Sequence, residues 1–448
     1  MAETSRRSAA AREITCMPSI HAPIRFTCIV SYCGTVTVSH HGTLTMKRLV
    51  ISPTSSLFIV MLGLLSALPP LATDIGLPAI PNLQAGFGIS IGQATQTLTV
   101  FLLGFSIGPV LFGPLSDRYG RRPVMLFGVG LFALAAFACV FASQIGELLA
   151  VRFVQGIAAG AAAALPAAIV RDVFSGREAL SRQSYVALVM GVAPLVAPLL
   201  GAALLQVGDW MLIYESIGIL GAGLFFLAFF GYVETKDLTA KAAQSNNVLK
   251  AAMEAYSSLL KNPHYLLNAG LLATTFGTMF AYITGSSAVF IDMLGLPNTI
   301  YGVIFAVTAA GTICGAASNG RLVKALGEDK LLRAGVCGSF AVNLVLLGCA
   351  FADVRSPLLI TACVFGSNFC SGIVMPNATH QALHSVGHIA GSASALQRSL
   401  QFLSGAGAGA LVGFIAGNQL RGMAITMTLF AAAGIVLLLL RSERQLAH

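Results

Sequence analysis

Charge is what this chain is short of. Only 10% of its 448 residues are Asp, Glu, Lys or Arg, against 56% hydrophobic. Soluble domains carry about 25% charge, so a soluble reading is excluded and the chain reads as a polytopic membrane protein. Cysteine pairs at metal-binding spacing are also missing. Nine cysteines are present, none in a Cys-x-x-Cys pair, and Cys139, Cys314, Cys337, Cys349, Cys363 and Cys370 lie in apolar runs. Neither a disulfide framework nor a metal site is indicated. Buried cysteines of this kind act as small hydrophobes. No Walker loop or catalytic constellation is visible, which argues against an ATP-driven pump and against an enzyme. No cofactor is expected. The net charge of +9 would suit nucleic acid, but the basic residues sit in alternate loops, so no nucleic-acid partner is expected.

Residues 1–50 differ in character from the rest of the chain. They are mixed and weakly apolar, with Arg6, Arg7, Arg12, Cys16, Cys28 and Cys33. They lack the layout of a signal peptide and a cleavage site. Met46-Lys47-Arg48 is the expected natural start, and the residues before it are expected to be a disordered or mis-assigned extension.

Beyond residue 50, twelve apolar runs stand out, roughly 55–77, 93–115, 123–142, 147–169, 184–206, 211–231, 265–288, 300–323, 331–351, 356–378, 390–415 and 421–440. Each is long enough to cross a bilayer as a helix, which takes about 20 residues. One set of alternate loops holds Arg118, Arg121 and Arg122, then Arg171, Arg177 and Arg182. It continues with Lys236, Lys241, Lys250 and Lys261, then Arg321, Lys324, Lys330 and Arg333, and ends in Arg441 and Arg444. The other set holds little more than Arg355 and Arg421. By the positive-inside rule this places both termini in the cytoplasm. The expected fold is all-α integral membrane, with twelve transmembrane helices in two pseudo-symmetric six-helix bundles, residues 51–231 and 265–440. Residues 232–264 form a cytoplasmic linker, and 441–448 a cytoplasmic tail. Within the linker, Leu249, Met253, Tyr256 and Leu260 follow a helical stripe, which predicts an amphipathic helix on the membrane surface.

The chain is organised around Gly113–Pro123, GPLSDRYGRRP, which the run boundaries predict to be a short charged hairpin. Gly113 and Gly120 are expected to permit close approach and turning, and Asp117 to accept charge-assisted hydrogen bonds. This stretch resembles the signature loop of the major facilitator superfamily, Gly-x-Leu-Ser/Ala-Asp-Arg-x-Gly-Arg-Arg. Gly113, Leu115, Ser116, Asp117, Arg118, Gly120, Arg121 and Arg122 fill its positions. The resemblance implies a cytoplasmic conformational latch, a monomer, and a substrate cavity between the halves near mid-membrane. Gly320–Gly327 is a degraded copy after span eight, with no Asp at the matching position.

Asp74 is the one carboxylate within span one, between Pro69-Pro70 and Leu77-Pro78-Ala79-Ile80-Pro81. An ionisable group inside a span is a functional candidate because its burial is costly. The alternative is a solvated Asp at the outer end of the span. In span four, Arg152-Phe153-Val154-Gln155-Gly156 resembles the superfamily's Arg-x-x-Gln-Gly motif, which is associated with proton-coupled members. Arg152 is expected to tune the nearby acid, with a snorkelling Arg as the alternative, and Gln155 is a cavity candidate. Span five carries Pro194, Pro198 and Gly201 in a run similar to the antiporter motif of drug:proton exchangers. Ala193, Ala197 and Ala202 replace three of that motif's glycines.

These features, with Thr73-Asp74 and Met375-Pro376-Asn377-Ala378, resemble the bicyclomycin/chloramphenicol-resistance group of drug:proton antiporters over about residues 50–440. Gly76 stands where that group commonly has an aromatic. Arg398, about two turns into span eleven, is expected at the cavity or the inner vestibule, or reaching the inner surface. His380, His384 and His388 are spaced by four in an expected cytoplasmic loop, where solvated histidines are the plainer account and a metal the lesser one. Gly405, Gly407, Gly409, Gly413 and Gly417 make span eleven small-sided, a close-packing surface in membranes.

The expected function is proton-coupled export of small amphipathic compounds across a bacterial inner membrane by alternating access. Asp74 and Arg152 would serve proton coupling; the partners would be substrate, protons and the bilayer. A proton-coupled uptake symporter stays open, because coupling direction is not written in the motifs. A non-transporting membrane sensor is a third reading, against which an intact latch, Asp74 and Arg152 all count.

Overall fold

Ser55 starts the first helix by accepting a hydrogen bond from the Phe58 amide at 3.2 Å, which satisfies one of the free N–H groups of the first turn. Helix α1 then spans Ser56–Asp74. In this computed structural model the described residues are 37–38, 44–45, 51–53, 55–235, 248–415 and 418–446. Within the first fifty residues, Thr37–Val38 pairs antiparallel with Leu44–Thr45. The expected start at Met46 lies outside the described residues.

From α1 the chain passes through a 3₁₀ turn, Leu77–Ala79, into α2, Ile80–Phe87. The remaining helices of the first half are α3 (Ile91–Tyr119), α4 (Arg121–Val140), α5 (Ile145–Val173), α6 (Gly176–Leu204) and α7 (Trp210–Gly231). Helix α8, Val248–Leu260, precedes the second half. That half comprises α9 (Pro263–Ser287, extended by a π-helical turn, Ala288–Met293), α10 (Asn298–Leu326) and α11 (Glu328–Phe351). It ends with α12 (Pro357–His384), α13 (Ala390–Phe414) and α14 (Gln419–Leu446).

Eleven helical segments among the described residues are long and apolar enough to cross a membrane. Helix α13 is the twelfth of membrane length. Its 25 residues reach about 37 Å, but Gln397, Arg398 and Gln401 dilute its apolar character. It packs among α3, α9 and α14.

The two halves repeat one device. Helices α3 and α10 are both 29 residues long, and each is joined to the next helix by a single glycine, Gly120 at φ 96° and Gly327 at φ 82°. Glycine adopts that backbone without a Cβ clash. The expected hairpin at 113–123 is therefore a one-residue corner: Gly113–Tyr119 belong to α3 and Arg121 opens α4. Behind each corner, helices cross on glycine. A Cβ on Gly108 would run into Gly160, and one on Gly315 into Phe369 O and Gly372. The α3–α5 and α10–α12 pairs thus share one close-packed crossing, which in a membrane supplies the packing that hydrophobicity does not. Gly113 takes no part in this. A Cβ there would meet nothing within 4 Å, so the expected tight approach is absent.

Between the halves, α3 meets α13 and α6 meets α10. Gly413 faces Gly92, and Gly409 faces Thr99 and Thr284. The small side of α13 is thus used against the first half, although Gly407 looks onto open space and Gly417 lies outside the described residues. On α8 the expected stripe splits. Tyr256 donates to Val110 O at 3.3 Å and Leu259 is buried, while Met253 and Leu260 are exposed.

Candidate functional site

Asp74 is the last residue of α1 and is 3% exposed, so it is no solvated cap. Pro69 and Pro70 lie one turn earlier inside the helix, and proline supplies no amide to the helical ladder. Thr73 Oγ1 sits 3.0 Å from Pro70 O and 2.9 Å from Asp74 Oδ1. The carboxylate lines a cavity of about 290 Å³ between the halves. First-half walls include Phe101, Met190 and Pro194; second-half walls include Phe276, Tyr282 and Phe402. Tyr282 is buried at the cavity wall with its hydroxyl 2.7 Å from Thr308 Oγ1. Asn368, whose Nδ2 donates to Thr308 O at 2.9 Å, lines the cavity with its buried Oδ1 unpartnered. Asp74 is the only acid lining this cavity among the described residues.

Arg152 is buried, but not as the expected partner of Asp74. Its guanidinium donates to Gln155 Oε1 at 2.6 Å, to Ala72 O at 3.2 Å and to Thr97 O at 3.4 Å. It stacks over Phe101 at 4.4 Å and Tyr214 at 5.5 Å. No ion pair between Arg152 and Asp74 is present among the described residues. The reason is steric: Phe101 covers the guanidinium on the cavity side, and main-chain carbonyls take its protons. Gln155 is fully buried against Arg152 and does not line the cavity that holds Asp74, which corrects its expected place.

Pro194 lines the central cavity and Pro198 is buried. A Cβ on Gly201 would collide with Ile75 O and approach Pro78, so α6 lies directly on the chain that leaves Asp74. Gly76 leaves open space.

At the basic face a second constellation ties four segments together. Arg121 bonds Asp117 at 3.0 Å, Asp172 at 2.7 Å and Ser116 Oγ at 2.6 Å. The amides of Arg121 and Arg122 both donate to the Glu234 carboxylate at 2.9 Å, an anion at a helix N-terminus. Arg122 also donates to Phe229 O at 2.7 Å. Arg118 is exposed and lies over the Tyr119 ring. Asp172 and Glu234 carry no signal in the sequence. They lie 51 and 112–113 residues from their partners, and no periodicity announces such a pairing. Between this cluster and the central cavity lies a vestibule of about 630 Å³, lined by α3, α5, α8 and α13 and including Arg398.

His380 and His384 lie in α12 rather than in a loop, and His380 Nδ1 is 3.0 Å from Glu328. The His388 side chain is outside the described residues. Among those described, no group of three His, Cys, Asp or Glu is placed to hold a metal ion.

Two six-helix halves around a shared cavity form the architecture of a secondary membrane transporter. The sequence profile described as Major Facilitator Superfamily matches residues 54–410, and the chain belongs to that superfamily. It is 33% identical over 356 residues to the uncharacterized MFS-type transporter YdgK of Bacillus subtilis, covering 79% of this chain and 87% of that protein. It is 31% identical over 373 residues to a bicyclomycin resistance protein homolog of Haemophilus influenzae, covering 83% and 92%. Multidrug resistance protein D of Escherichia coli is 26% identical over 344 residues, 77% of this chain and 85% of that protein. The crystal structure of a D-xylose-proton symporter superposes with TM-score 0.66 at 16% identity, covering 85% of this chain and 97% of that one, a likeness of fold.

Proposed function

We propose that the chain exports small amphipathic molecules in exchange for protons. The observation that carries this is Asp74: a buried carboxylate without a cation partner among the described residues, in an aromatic cavity shared by both halves. An unpaired buried charge is costly, and a proton removes that cost. Apolar and aromatic walls with few polar groups suit substrates with an apolar body. The relatives named for bicyclomycin and multidrug resistance support export of drug-like compounds.

In this reading Arg152 clamps the Ala72 carbonyl and so holds the end of α1 for proton coupling. Asp117, Arg121, Asp172 and Glu234 form the latch, on the cytoplasmic side of a bacterial inner membrane. Both termini are cytoplasmic and the monomer is the working unit. The two halves rock about the central cavity.

The test is accumulation of a fluorescent amphipathic dye in cells expressing the chain, with and without a protonophore. Export predicts lower accumulation that the protonophore restores. Raised accumulation that the protonophore abolishes would establish uptake instead.

A further inference from the structure

The vestibule contains cations that the transport reading leaves unused. Three arginines line it: Arg121, Arg171 and Arg398. Arg121 is committed to Asp117 and Asp172. Arg171, at the end of α5, and Arg398, on α13, have no hydrogen-bond or ion-pair acceptor among the described residues. They come from opposite halves and line the same vestibule. Arg398 is half-buried. Arg171 is exposed at the rim, whereas partial burial makes the absent acceptor of Arg398 more costly.

The surroundings leave space for a guest. The side chains of Ser392 and Ser394 line the same wall. A Cβ on Gly113 or Gly391 would meet nothing within 4 Å. The opposite wall is built from Ala163, Ala164 and Ala167, short side chains that admit an apolar body. Asp117, already bonded to Arg121, is the only carboxylate lining the vestibule among the described residues.

We propose that Arg171 and Arg398 form an anion subsite that receives the carboxylate or phosphate head of an amphipathic molecule on its way to the central cavity. This rests on the exporter reading and extends its substrates to amphipathic organic anions. The planar fork of each guanidinium matches an oxyanion bidentately. An anion held by both would bridge the two halves at the vestibule. Once the head is released, the body faces the aromatic walls of the central cavity.

The test is equilibrium binding to the full chain in phosphatidylcholine nanodiscs, with 1-naphthoate as the anion and 1-naphthamide as its neutral counterpart. The proposal predicts that naphthoate binds about tenfold more tightly than the amide and that added salt weakens naphthoate alone. Arg398→Gln and Arg171→Gln each remove the preference, while Arg398→Lys keeps part of it. Equal binding of acid and amide to the unaltered chain, which needs no variant, overturns the proposal, as does an unchanged preference in both Gln variants. Nanodiscs about one-third phosphatidylglycerol separate the sources of the anion. Loss of naphthoate binding there assigns the subsite to a lipid headgroup and overturns its substrate role; retention supports the soluble anion. Asp74→Asn, which stops proton exchange, leaves the naphthoate preference in place, so failure of the exporter reading and failure of the subsite are separately visible.

Discussion

Arg152 donates a hydrogen bond to the carbonyl of Ala72, two residues before Asp74, and none to Asp74 itself. A buried arginine and a buried acid thus sit close in space without neutralising each other. Phe101 covers the guanidinium at 4.4 Å. The acid has no cation partner among the described residues, and the arginine is bonded to the helix end that carries it.

Arg152→Ala removes that clamp and leaves the Ala72 and Thr97 carbonyls and Gln155 without their donor. The expected outcome is a loss of coupling, with substrate affinity changed by less than about tenfold, or 1.4 kcal/mol. Substrate-dependent proton flux and equilibrium binding, measured on the same preparation, check it. A collapse of affinity with an unchanged coupling ratio would put Arg152 in the substrate site instead.

Glu234 receives the first two amides of α4. Glu234→Gln exchanges a charged acceptor for a neutral one at a helix N-terminus. A thermal midpoint lowered by an amount corresponding to about 0.5–2 kcal/mol is expected, with faster labelling of a cysteine placed at Tyr119. An unaltered midpoint and labelling rate would show that the carboxylate does not hold the corner.

Asp117→Asn keeps the side-chain shape but removes one of the two charges on Arg121. Asp172 still holds the guanidinium at 2.7 Å, so folding is expected to survive while transport falls severely. Normal efflux by this variant would remove the latch assignment.

Gly108→Val and Gly315→Val place a side chain in equivalent crossings of the two halves. Each is expected to destabilise by about 1–3 kcal/mol or more, read as loss of monodisperse protein on size exclusion. Gly113→Ala meets open space, and inside a helix alanine gains up to about 1 kcal/mol over glycine. An equal or higher thermal midpoint is expected there.

Much of the architecture was legible in the sequence. Twelve membrane-length runs and the two glycine corners come from apolar run length and the repeat of Gly120 in Gly327. The sequence left Asp74 either buried or a solvated cap, and the structure buries it. What the sequence hid was pairing at a distance. Glu234 and Asp172 resemble ordinary loop acids until α4 is seen between them. Gln155 shares a motif with Arg152 and so suggested a shared cavity, but a helix turns the two onto each other instead. The run boundaries suggested a loop at Gly113–Tyr119, yet α3 continues to Tyr119: Pro114 withholds an amide from Val110 O, and that carbonyl accepts from the Tyr256 hydroxyl at 3.3 Å instead.

Asp74 as the proton carrier is the central claim. Its most direct test is proton movement in inside-out vesicles with an imposed pH gradient, comparing the unaltered chain with Asp74→Asn across a panel of amphipathic compounds. The account predicts that substrate collapses the gradient with the unaltered chain only. Equal collapse with both would contradict it, leaving an exchanger whose proton passes through another group.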